Sequence, residues 1–427
     1  MNPTALSGWL FLIMIGGLLA RPADGAEPNS FPPFEKLEAH AGLPDAFIMF
    51  DGTPVKTKQQ WLDERRPELK QLFQRYEYGF MPPPPGIDAR VTQRDEHALG
   101  GKATLEEIEI AFKNLADRPH APKIHLAIFL PNQAHGSAPV FLALNEYGNQ
   151  TIAPEEKITI SATATGKPTD LARGSQTDFW CLEQLLDRGY AFATYCQNDI
   201  DPDKNDFTDG IHPSYPEYMK SKETHWGTIA AWSWGLQRCV DYLVTDRAIN
   251  AKQIAVIGHS RRGKTALLTG AFDERIALVV PHQSGTGGVA LSRSHAQETV
   301  ERITRVFPHW FNKTFPQFAD HEDKLPIDQH LLVALVAPRA LLDTEGQQDL
   351  WANFPTSLES IRAADKVWKL LGAPGIVGDG LCTDPDKLRD PAAVGNLVQF
   401  RRDEKHTLNR GFWTAILNFA DGQFGRK

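Results

Sequence analysis

Residues 253–271 read QIAVIGHSRRGKTALLTGA, and this stretch decides the fold that the sequence predicts. Residues 254–257 are a short apolar run rich in β-branched side chains, which is typical of a strand that is covered on both faces. Residues 266–271 are mostly small or apolar and indicate a helix that packs closely on the sheet. Ser260 lies where the strand becomes the helix, so the sequence predicts a nucleophile elbow with the serine hydroxyl at its tip.

The tripeptide around Ser260 is by itself weak evidence for catalysis. Gly258 precedes the serine by two positions, but Arg262 stands where the common G-x-S-x-G pattern has its second glycine, and the next glycine is Gly263. A G-x-S sequence also occurs by chance before many helices. The strand and the helix on either side favour a catalytic serine, because the free N–H groups of a helix N-terminus could stabilise an oxyanion beside it.

Three cations follow Ser260 in the first turn of the predicted helix, namely Arg261, Arg262 and Lys264. Positive charges are poorly placed at a helix N-terminus, because the helix dipole is itself positive there. Their clustering predicts a ligand that compensates them, and a solvated helix face is the alternative interpretation.

The composition is that of an ordinary globular protein, with 41% hydrophobic and 23% charged residues in a chain of 427. The formal net charge is −8 and the chain has no run of basic residues, which argues against nucleic-acid or anionic-membrane partners. We expect one catalytic domain over residues 26–427, because the sequence has no internal repeat, charge run or low-complexity linker.

The N-terminal residues have the features of an export signal. Residues 9–20 are apolar but too short to span a bilayer comfortably, and the small residues Ala23 and Gly25 follow them. We therefore predict a signal peptide over residues 1–25 and a secreted or periplasmic mature protein. The residues before the apolar run include no Lys or Arg, so an uncleaved anchor is the alternative.

The cysteines and aspartates do not suggest a metal site. Cys181, Cys196, Cys239 and Cys382 include no C-x-x-C pair, and their spacing dictates no disulfide. Residues 197–207 carry aspartates with D-x-D-x-D spacing, but the glycine and the distal glutamate of a calcium loop are missing, so we interpret them as a solvated loop. We expect no metal and no cofactor.

The order of apolar segments predicts an α/β fold with a largely parallel central sheet. Strands alternate with helices through most of the chain, which is the pattern of a sheet covered by helices. The predicted strands are residues 104–112, 124–130, 138–145, 190–195, 254–257, 277–281 and 339–345, and the main predicted helices are residues 58–80 (broken near Pro67), 179–188, 225–245, 357–371 and 408–420.

A catalytic serine needs a base, and after a nucleophile elbow the acid and then the histidine follow along the chain. His406 is favoured as the base because it lies in a polar loop directly before the predicted C-terminal helix, and His330 remains the alternative. The histidines that follow Ser260 are His282, His295, His309, His321, His330 and His406.

The acid is expected near the end of the predicted strand 339–345. Asp349 lies in the loop that leaves this strand, where it could hydrogen-bond a histidine ring, hold its tautomer and stabilise the imidazolium. Asp343 and Glu345 lie within the strand and remain competitors, since spacing alone does not establish the contact.

Several motifs together resemble those of the glucuronoyl esterases. They are GHSRRGK at 258–264, SGTGG at 284–288, FPHWFN at 307–312, LPIDQHLLVALVAPRALL at 325–342 and DLWA at 349–352. Members of that family are α/β-hydrolases that cleave the ester joining 4-O-methyl-glucuronic acid of xylan to an alcohol, natively in lignin. The resemblance extends from about Trp61 through the C-terminal helix, and it implies a three-layer sandwich around a largely parallel central sheet.

The resemblance also implies a role for each matching residue of the catalytic machinery. Ser260 looks like the nucleophile, Arg261 like the residue that stabilises the oxyanion, and His406 like the base. Many members place the triad acid at the end of the strand after the elbow helix, where this sequence has Gln283, an amide that cannot act as the anionic partner. Some bacterial members use an aspartate after the next strand, and Asp349 fits that arrangement.

The same resemblance implies how the substrate binds. Lys264 looks like the donor to the uronate hydroxyls, Glu298 like the sugar-binding glutamate, and Trp351 like the aromatic wall over the sugar. The cysteine of the family's SG-Cys-GG loop is Thr286 here, so no disulfide is carried over from this loop.

We therefore expect a secreted, monomeric serine esterase acting on a glucuronoxylan or lignin–carbohydrate ester, with no nucleic-acid partner and no membrane partner after signal cleavage. An acetyl-xylan esterase or general carboxylesterase on the same fold is the second hypothesis. A secreted carbohydrate-binding protein with a decayed hydrolase site is the third, and it would predict the loss of at least one triad residue.

Overall fold

The computed structural model describes residues 31–117, 121–134, 136–222, 224–294 and 297–426. The predicted signal peptide at residues 1–25 lies outside the described residues. Among the residues that are described, no helix is both long and apolar enough to cross a membrane.

One sheet of ten strands runs through the described part of the chain. Its strands, in chain order, are β1 (Ile87–His97), β2 (Ala103–Phe112), β3 (Ile124–Pro131), β4 (Ala138–Asn145), β5 (Ala191–Cys196), β6 (Ile249–His259), β7 (Leu278–His282), β8 (Ala340–Gly346), β9 (Leu381–Cys382) and β10 (Leu397–Arg402).

The α-helices of the described residues range from single turns to the five turns of the longest. They are α1 (Lys58–Gln60), α2 (Arg66–Phe73), α3 (Ala98–Gly101), α4 (Thr177–Trp180), α5 (Leu182–Asp187), α6 (Thr228–Leu243), α7 (Arg261–Phe272), α8 (Val300–Val306), α9 (Gln329–Ala334), α10 (Phe354–Leu371), α11 (Pro391–Val394) and α12 (Arg410–Phe424).

The sheet order is β1-β2-β3-β5-β4-β6-β7-β8-β10-β9. The pairings from β1 to β5 are antiparallel, and every pairing from β5 to β9 in this order is parallel. In the parallel part, Val256 of β6 faces Leu142 of β4 on one side and Val279 of β7 on the other. The largely parallel sheet predicted from the sequence is confirmed, and its parallel strands end at one edge, where binding loops gather in open α/β sheets.

Each face of the sheet is covered by its own apolar core. On one face, α2, α6, α7, α9 and α10 contribute a cluster whose largest members are tryptophans such as Trp232 and Trp368. On the other face, α5 and α12 contribute a second cluster around Phe141, Phe192 and Trp413. Apolar burial on both faces drives helices onto a sheet of this kind, and the three-layer arrangement is confirmed.

Two predicted helix boundaries are wrong. The helix predicted over residues 58–80 is not broken at Pro67, because that proline lies in the first turn of α2, after a π-helical segment, where its missing N–H costs little. The helix predicted over 179–188 is instead interrupted at Cys181, whose φ of +48° turns the chain between α4 and α5.

The sequence does not predict three of the strands, which are β1, the two-residue β9 and β10. The edge strand β1 is largely exposed and shows no clear alternation. Strand β10 has the sequence LVQFRR and places a buried glutamine, Gln399, inside the sheet. Strand β10 positions part of the site, because it pairs with β8 and leads directly into the loop that carries His406.

Candidate active site

The elbow forms where the sequence predicts it, with Ser260 between β6 and α7. Its backbone has φ +60° and ψ −126°, a conformation that non-glycine residues rarely adopt and that serves to expose a nucleophile. The Ser260 N–H donates to the carbonyl of His282 at 2.9 Å, and its own carbonyl accepts from the N–H of Gly263 at 2.8 Å. These bonds hold the strained residue against the end of β7.

Close backbone packing explains why the glycines of this motif are spaced as they are. A side chain at Gly258 would collide with the carbonyl of Arg262, and one at Gly263 would crowd the carbonyl of His282. The turn therefore requires glycine at positions 258 and 263. The second glycine lies three residues after the serine rather than two, so position 262 can carry an arginine.

His406 and Asp349 meet at the same edge of the sheet. The Nδ1 atom of His406 lies 2.5 Å from Oδ2 of Asp349, and the other Asp349 oxygen accepts from the N–H of Ala352 at 3.3 Å. Asp349 is buried, whereas the His406 side chain is 38% exposed. Because the carboxylate engages Nδ1, Nε2 is the ring nitrogen that could accept a proton from a serine.

Ser260 and His406 line one cavity of about 400 Å³. Aromatic side chains form part of its wall, namely Tyr147, Phe179 and Trp180. The cavity can therefore hold a group of substantial size beside the serine hydroxyl.

The competing residues lie elsewhere. The Nε2 atom of His330 hydrogen-bonds the carbonyl of Pro44 at 2.8 Å. Glu345 accepts from the hydroxyl of Ser357 at 3.4 Å, and Asp343 accepts from Gln399. Neither acid is paired with His406.

Burial changes the titration of the two strand acids. Burial raises the pKa of Asp343 to about 7. Burial, together with the charges of Asp343 and Asp349, raises the pKa of Glu345 well above its ordinary value. A carboxyl group with a raised pKa favours the neutral form, which does not stabilise an imidazolium.

Arg261 is held by Asp203 and by two aromatic rings. Its guanidinium forms an ion pair with Asp203 and lies 5.0 Å from the ring centre of Phe307 and 4.7 Å from that of Trp310. Asp203 also accepts from Nε2 of His309 at 2.9 Å and from Nε1 of Trp310 at 2.8 Å. Burial would raise the pKa of Asp203, but the His309 hydrogen bond and the Arg261 charge hold it below its ordinary value.

Asp203, the ion-pair partner of Arg261, is not predicted from the sequence. The loop 197–207 was interpreted as solvated, and that interpretation is wrong for three of its aspartates. Asp199 accepts from Thr163 and pairs with His125, while Asp201 lies 3.2 Å from Nε2 of His212. The D-x-D-x-D spacing shows acidic residues but does not show that the loop folds inward, so no signal in the sequence identified these pairs.

The remaining cations of the motif are also compensated from within the protein. Arg262 donates to Oε2 of Glu146 at 2.7 Å and to the side-chain oxygen of Gln197 at 3.0 Å. The Nζ atom of Lys264 lies 3.1 Å from Oε2 of Glu298 and is almost fully buried. The cations therefore do not form a solvated face, and acidic side chains of the chain itself oppose their charge.

Lys264, Glu298 and Trp351 form one hydrogen-bonded group. Besides Glu298, the Lys264 ammonium donates to the carbonyls of Ser284 at 2.6 Å and Thr286 at 2.8 Å. Glu298 accepts from Nε1 of Trp351 at 3.0 Å. Burial lowers the pKa of Lys264, although the Glu298 charge opposes this effect. The three residues expected to bind a sugar are thus linked through Glu298.

The residues that the structure describes include no group of three or more His, Cys, Asp or Glu side chains that could hold a metal ion. The four cysteines, all of which lie in the described ranges, are buried and unpaired with one another.

Comparison with known proteins identifies the family. A family model described as glucuronyl esterase of fungi matches residues 145–372, which is more than half of the chain. Over 411 residues the chain is 39% identical to carbohydrate esterase MZ0003 of an unknown prokaryotic organism, covering 93% of both proteins. Over 383 residues it is 30% identical to 4-O-methyl-glucuronoyl methylesterase 1 of Wolfiporia cocos, covering 86% of this chain and 81% of that protein.

A solved structure agrees with these sequence matches. The glucuronoyl esterase from Solibacter usitatus has a TM-score of 0.81 and 32% identity, covering 92% of this chain and 100% of that one. The resemblance drawn from the motifs is confirmed, and the chain belongs to the glucuronoyl esterase family, the carboxylic ester hydrolases with an α/β-hydrolase fold.

Proposed function

We propose that this enzyme hydrolyses esters of glucuronic acid or 4-O-methyl-glucuronic acid, with Ser260 as nucleophile, His406 as base and Asp349 as the orienting acid. The observation that carries the proposal is the contact between His406 and Asp349 at the rim of the cavity that holds Ser260. The name of the Wolfiporia cocos relative supports the substrate class.

In the first step, Nε2 of His406 takes the proton of the Ser260 hydroxyl while Oγ attacks the ester carbonyl. Asp349 keeps the proton of His406 on Nδ1 and stabilises the imidazolium. The tetrahedral intermediate then collapses, the bond to the alcohol oxygen breaks, and the imidazolium gives its proton to the departing alcohol. A water molecule repeats the sequence on the acyl-enzyme and releases the uronic acid.

The positive end of α7 suits the charge that develops in this reaction. The uronate ester is neutral, whereas its tetrahedral intermediate carries an oxyanion, so a cation at Arg261 interacts more strongly as the reaction proceeds. The N–H groups of the first two residues of α7, Arg261 and Arg262, add donors, because the Ser260 carbonyl accepts only from Gly263 and Lys264. We assign Arg261 to oxyanion stabilisation on this ground.

The group of Lys264, Glu298 and Trp351 suits a sugar rather than an acetyl or lipid acyl chain. Lys264 lies one helical turn after Ser260, and its N–H donates to the Ser260 carbonyl at 3.1 Å. Charged donors and acceptors beside an indole ring match the hydroxyls and the flat face of a pyranose. A simple acyl group has no hydroxyls that could exchange hydrogen bonds with these polar side chains.

The cavity bounded by Tyr147, Phe179 and Trp180 can receive the alcohol part of the ester. An aromatic alcohol of the lignin type would bury its ring against these side chains. Together with the signal peptide predicted at residues 1–25, this supports the proposal of a secreted enzyme that acts on glucuronoxylan or lignin–carbohydrate esters.

Hydrolysis of benzyl glucuronate by the wild type and by Ser260→Ala tests the proposal. We expect the variant to lose roughly 10⁵-fold or more in kcat, as when a catalytic serine is removed, with an unchanged circular dichroism spectrum. Near-wild-type turnover by the variant would exclude the serine mechanism. Faster release of acetate from acetylated xylan than of benzyl alcohol would favour the acetyl-xylan esterase hypothesis.

A further inference from the structure

Gln283 is buried at the point where β7 ends, close to the loop that carries His406. Its backbone lies in the left-handed region, with φ +47°, and its N–H donates to the carbonyl of Thr344 at 2.9 Å. Because the conformation and this hydrogen bond fix the residue against β8, the side chain has a defined direction.

The side-chain amide of Gln283 binds the backbone on both sides of His406. Its Nε2 donates to the carbonyl of Lys405 at 2.8 Å, and its Oε1 accepts from the N–H of Thr407 at 2.9 Å. Only one orientation of the amide satisfies both bonds. A flipped amide would place its NH₂ group against the N–H of Thr407 and its oxygen against the carbonyl of Lys405. One side chain therefore restrains both neighbours of the base.

The same oxygen reaches a second histidine. Oε1 of Gln283 lies 3.1 Å from Nε2 of His259, so that nitrogen carries the proton. Burial, with the charges of His282 and His406, lowers the pKa of His259 well below its ordinary value, which keeps its ring neutral. The ring centres of His259 and His406 are 4.3 Å apart, so a neutral ring packs directly against the base.

Gly346 and His282 support this arrangement of Gln283 and the His406 loop. A side chain at Gly346 would collide with Nε2 of Gln283 and crowd the carbonyl of Glu404. His282, whose pKa burial lowers to about 3, hydrogen-bonds the carbonyl of Thr407 at 2.8 Å. The backbone around His406 is thus restrained from β7 by two adjacent side chains.

The geometry points to Gln283 as a positioning residue for His406, one that holds the base loop through Lys405 and Thr407 and sets the tautomer of His259. This inference rests on the proposed function of His406 as the base. A carboxylate at position 283 could accept from Thr407 but could not donate to Lys405, and it would place a negative charge beside His259. An apolar side chain would leave both backbone groups unpaired.

Two variants test the role, Gln283→Glu and Gln283→Met, with benzyl glucuronate as substrate. We expect each to lower kcat roughly 10- to 100-fold, the effect of a slightly displaced catalytic group, with KM changed less than about threefold. Values of kcat within twofold of the wild type in both variants would reject the inference. If the melting curve shows that Gln283→Met does not fold, the kcat of the isosteric variant Gln283→Glu alone tests the inference.

The pH profile separates positioning from a general loss of structure. The titratable groups that face His406 are Asp349 in the loop after β8, His259 at the end of β6 and His282 at the end of β7. A carboxylate added at position 283 should raise the apparent pKa of the acidic limb of kcat/KM by about one unit, because a nearby negative charge favours the imidazolium. Gln283→Met should leave this apparent pKa unchanged. The same apparent pKa in the wild type and both variants would contradict the assignment.

A substrate-independent readout keeps this test separate from the proposed substrate. The rate at which a fluorophosphonate labels Ser260 depends on the base but requires no uronate. Slower labelling of both Gln283 variants supports the inference, and unchanged labelling rejects it. The control is Gln423→Glu, which replaces an amide that donates to the carbonyl of Gly395 at 2.9 Å, far from His406, and should label like the wild type. A wild type that labels but does not cleave benzyl glucuronate would reject only the substrate.

Discussion

The edge of the sheet around Ser260 and the interior of β8 handle buried acids in different ways. At the edge, Asp349 pairs with His406, Asp203 with Arg261 and Glu298 with Lys264. Inside β8, Asp343 and Glu345 lie two residues apart on one face of the strand and are completely buried. A neighbouring glutamine and a serine hydroxyl bond these two carboxyls, and no described cation forms an ion pair with either.

The difference shows what a partner does for a buried carboxylate. Burial would raise the pKa of Asp203, but the His309 hydrogen bond and the Arg261 charge hold it below its ordinary value. Inside β8, burial raises the pKa of both carboxyls, so each tends to hold a proton. A charged acid can stabilise an imidazolium and a protonated one cannot. This is why position along a single segment, residues 343–349, separates an acid suited to catalysis from two that are not.

Asp349→Asn should have the largest effect on activity among the acid variants. The amide keeps the shape but cannot stabilise the imidazolium or hold the tautomer, so we expect kcat at neutral pH to fall by roughly four orders of magnitude with the fold intact. Steady-state hydrolysis of benzyl glucuronate measures the effect.

Glu345→Gln is the matched control for that variant, since it removes a carboxyl from the same segment. We expect its kcat to stay within about threefold of the wild type, because a protonated Glu345 contributes no charge to the reaction. The reverse result, a large loss for Glu345→Gln and a small one for Asp349→Asn, would transfer the role of the acid to Glu345.

Lys264→Met should have the largest effect on stability. It leaves the Glu298 carboxylate buried without its cation, and breaking one partner of a buried pair costs about 3–5 kcal/mol in the free energy of unfolding. It also removes the donor to the Ser284 and Thr286 carbonyls. Urea denaturation measures the change.

The control for this prediction is Lys366→Met, which removes an ammonium from an exposed ion pair with Asp45. Exposed pairs contribute only about 0–1 kcal/mol, so this variant should unfold almost like the wild type. Equal losses in the two variants would show that the burial of the Lys264 pair is not what makes it important.

Asp203→Asn should have a moderate effect on the rate. The amide keeps one hydrogen-bond acceptor for His309 and Trp310 but no longer pairs with the Arg261 charge. We expect kcat to fall about tenfold, the value of one hydrogen bond to a charged group, with a smaller change in KM. Asp209→Asn, which removes the half-buried partner of Lys204 close to the same loop, should leave both constants unchanged. A rise in KM with an unchanged kcat in Asp203→Asn would assign Arg261 to substrate binding instead.

The two buried acids of β8 should change the pH dependence of stability rather than the rate. The pKa of Asp343 rises from 3.8 to about 7 on folding, so between these values the folded protein binds a proton that the unfolded chain has lost. Stability from this group therefore falls as pH rises from about 4 to about 7. The difference in unfolding free energy, wild type minus Asp343→Asn, should decrease over that range in urea denaturation. A difference that grows with pH would contradict the raised pKa.

Much of the fold could be predicted because its signals are local. The apolar run before Ser260 and the small residues after it define the elbow without any long-range information, and the parallel strands show as continuous apolar segments. The same local signals place Asp349 and His406 in loops that leave neighbouring strands, β8 and β10, at one edge of the sheet, although β10 itself was not recognised.

The pairings across the site could not be predicted, because they depend on how distant segments fold together. Asp203 lies in a loop whose aspartates suggest solvent exposure, yet it reaches Arg261 and His309. Glu345 and Asp349 are both acids near the end of one strand, and the sequence does not show which of them meets His406. The sequence likewise identified Gln283 only as a residue that carries no charge.

The most direct test of the central claim is the identity of the acylated residue. The wild type is mixed with benzyl glucuronate, quenched in acid within one turnover, digested and analysed by mass spectrometry. We predict that the mass of one glucuronoyl group is added to the peptide that contains Ser260, and that this adduct is absent from Ser260→Ala. Steady turnover with the glucuronoyl group on another residue, or with no adduct on Ser260 under any quench time, would contradict it.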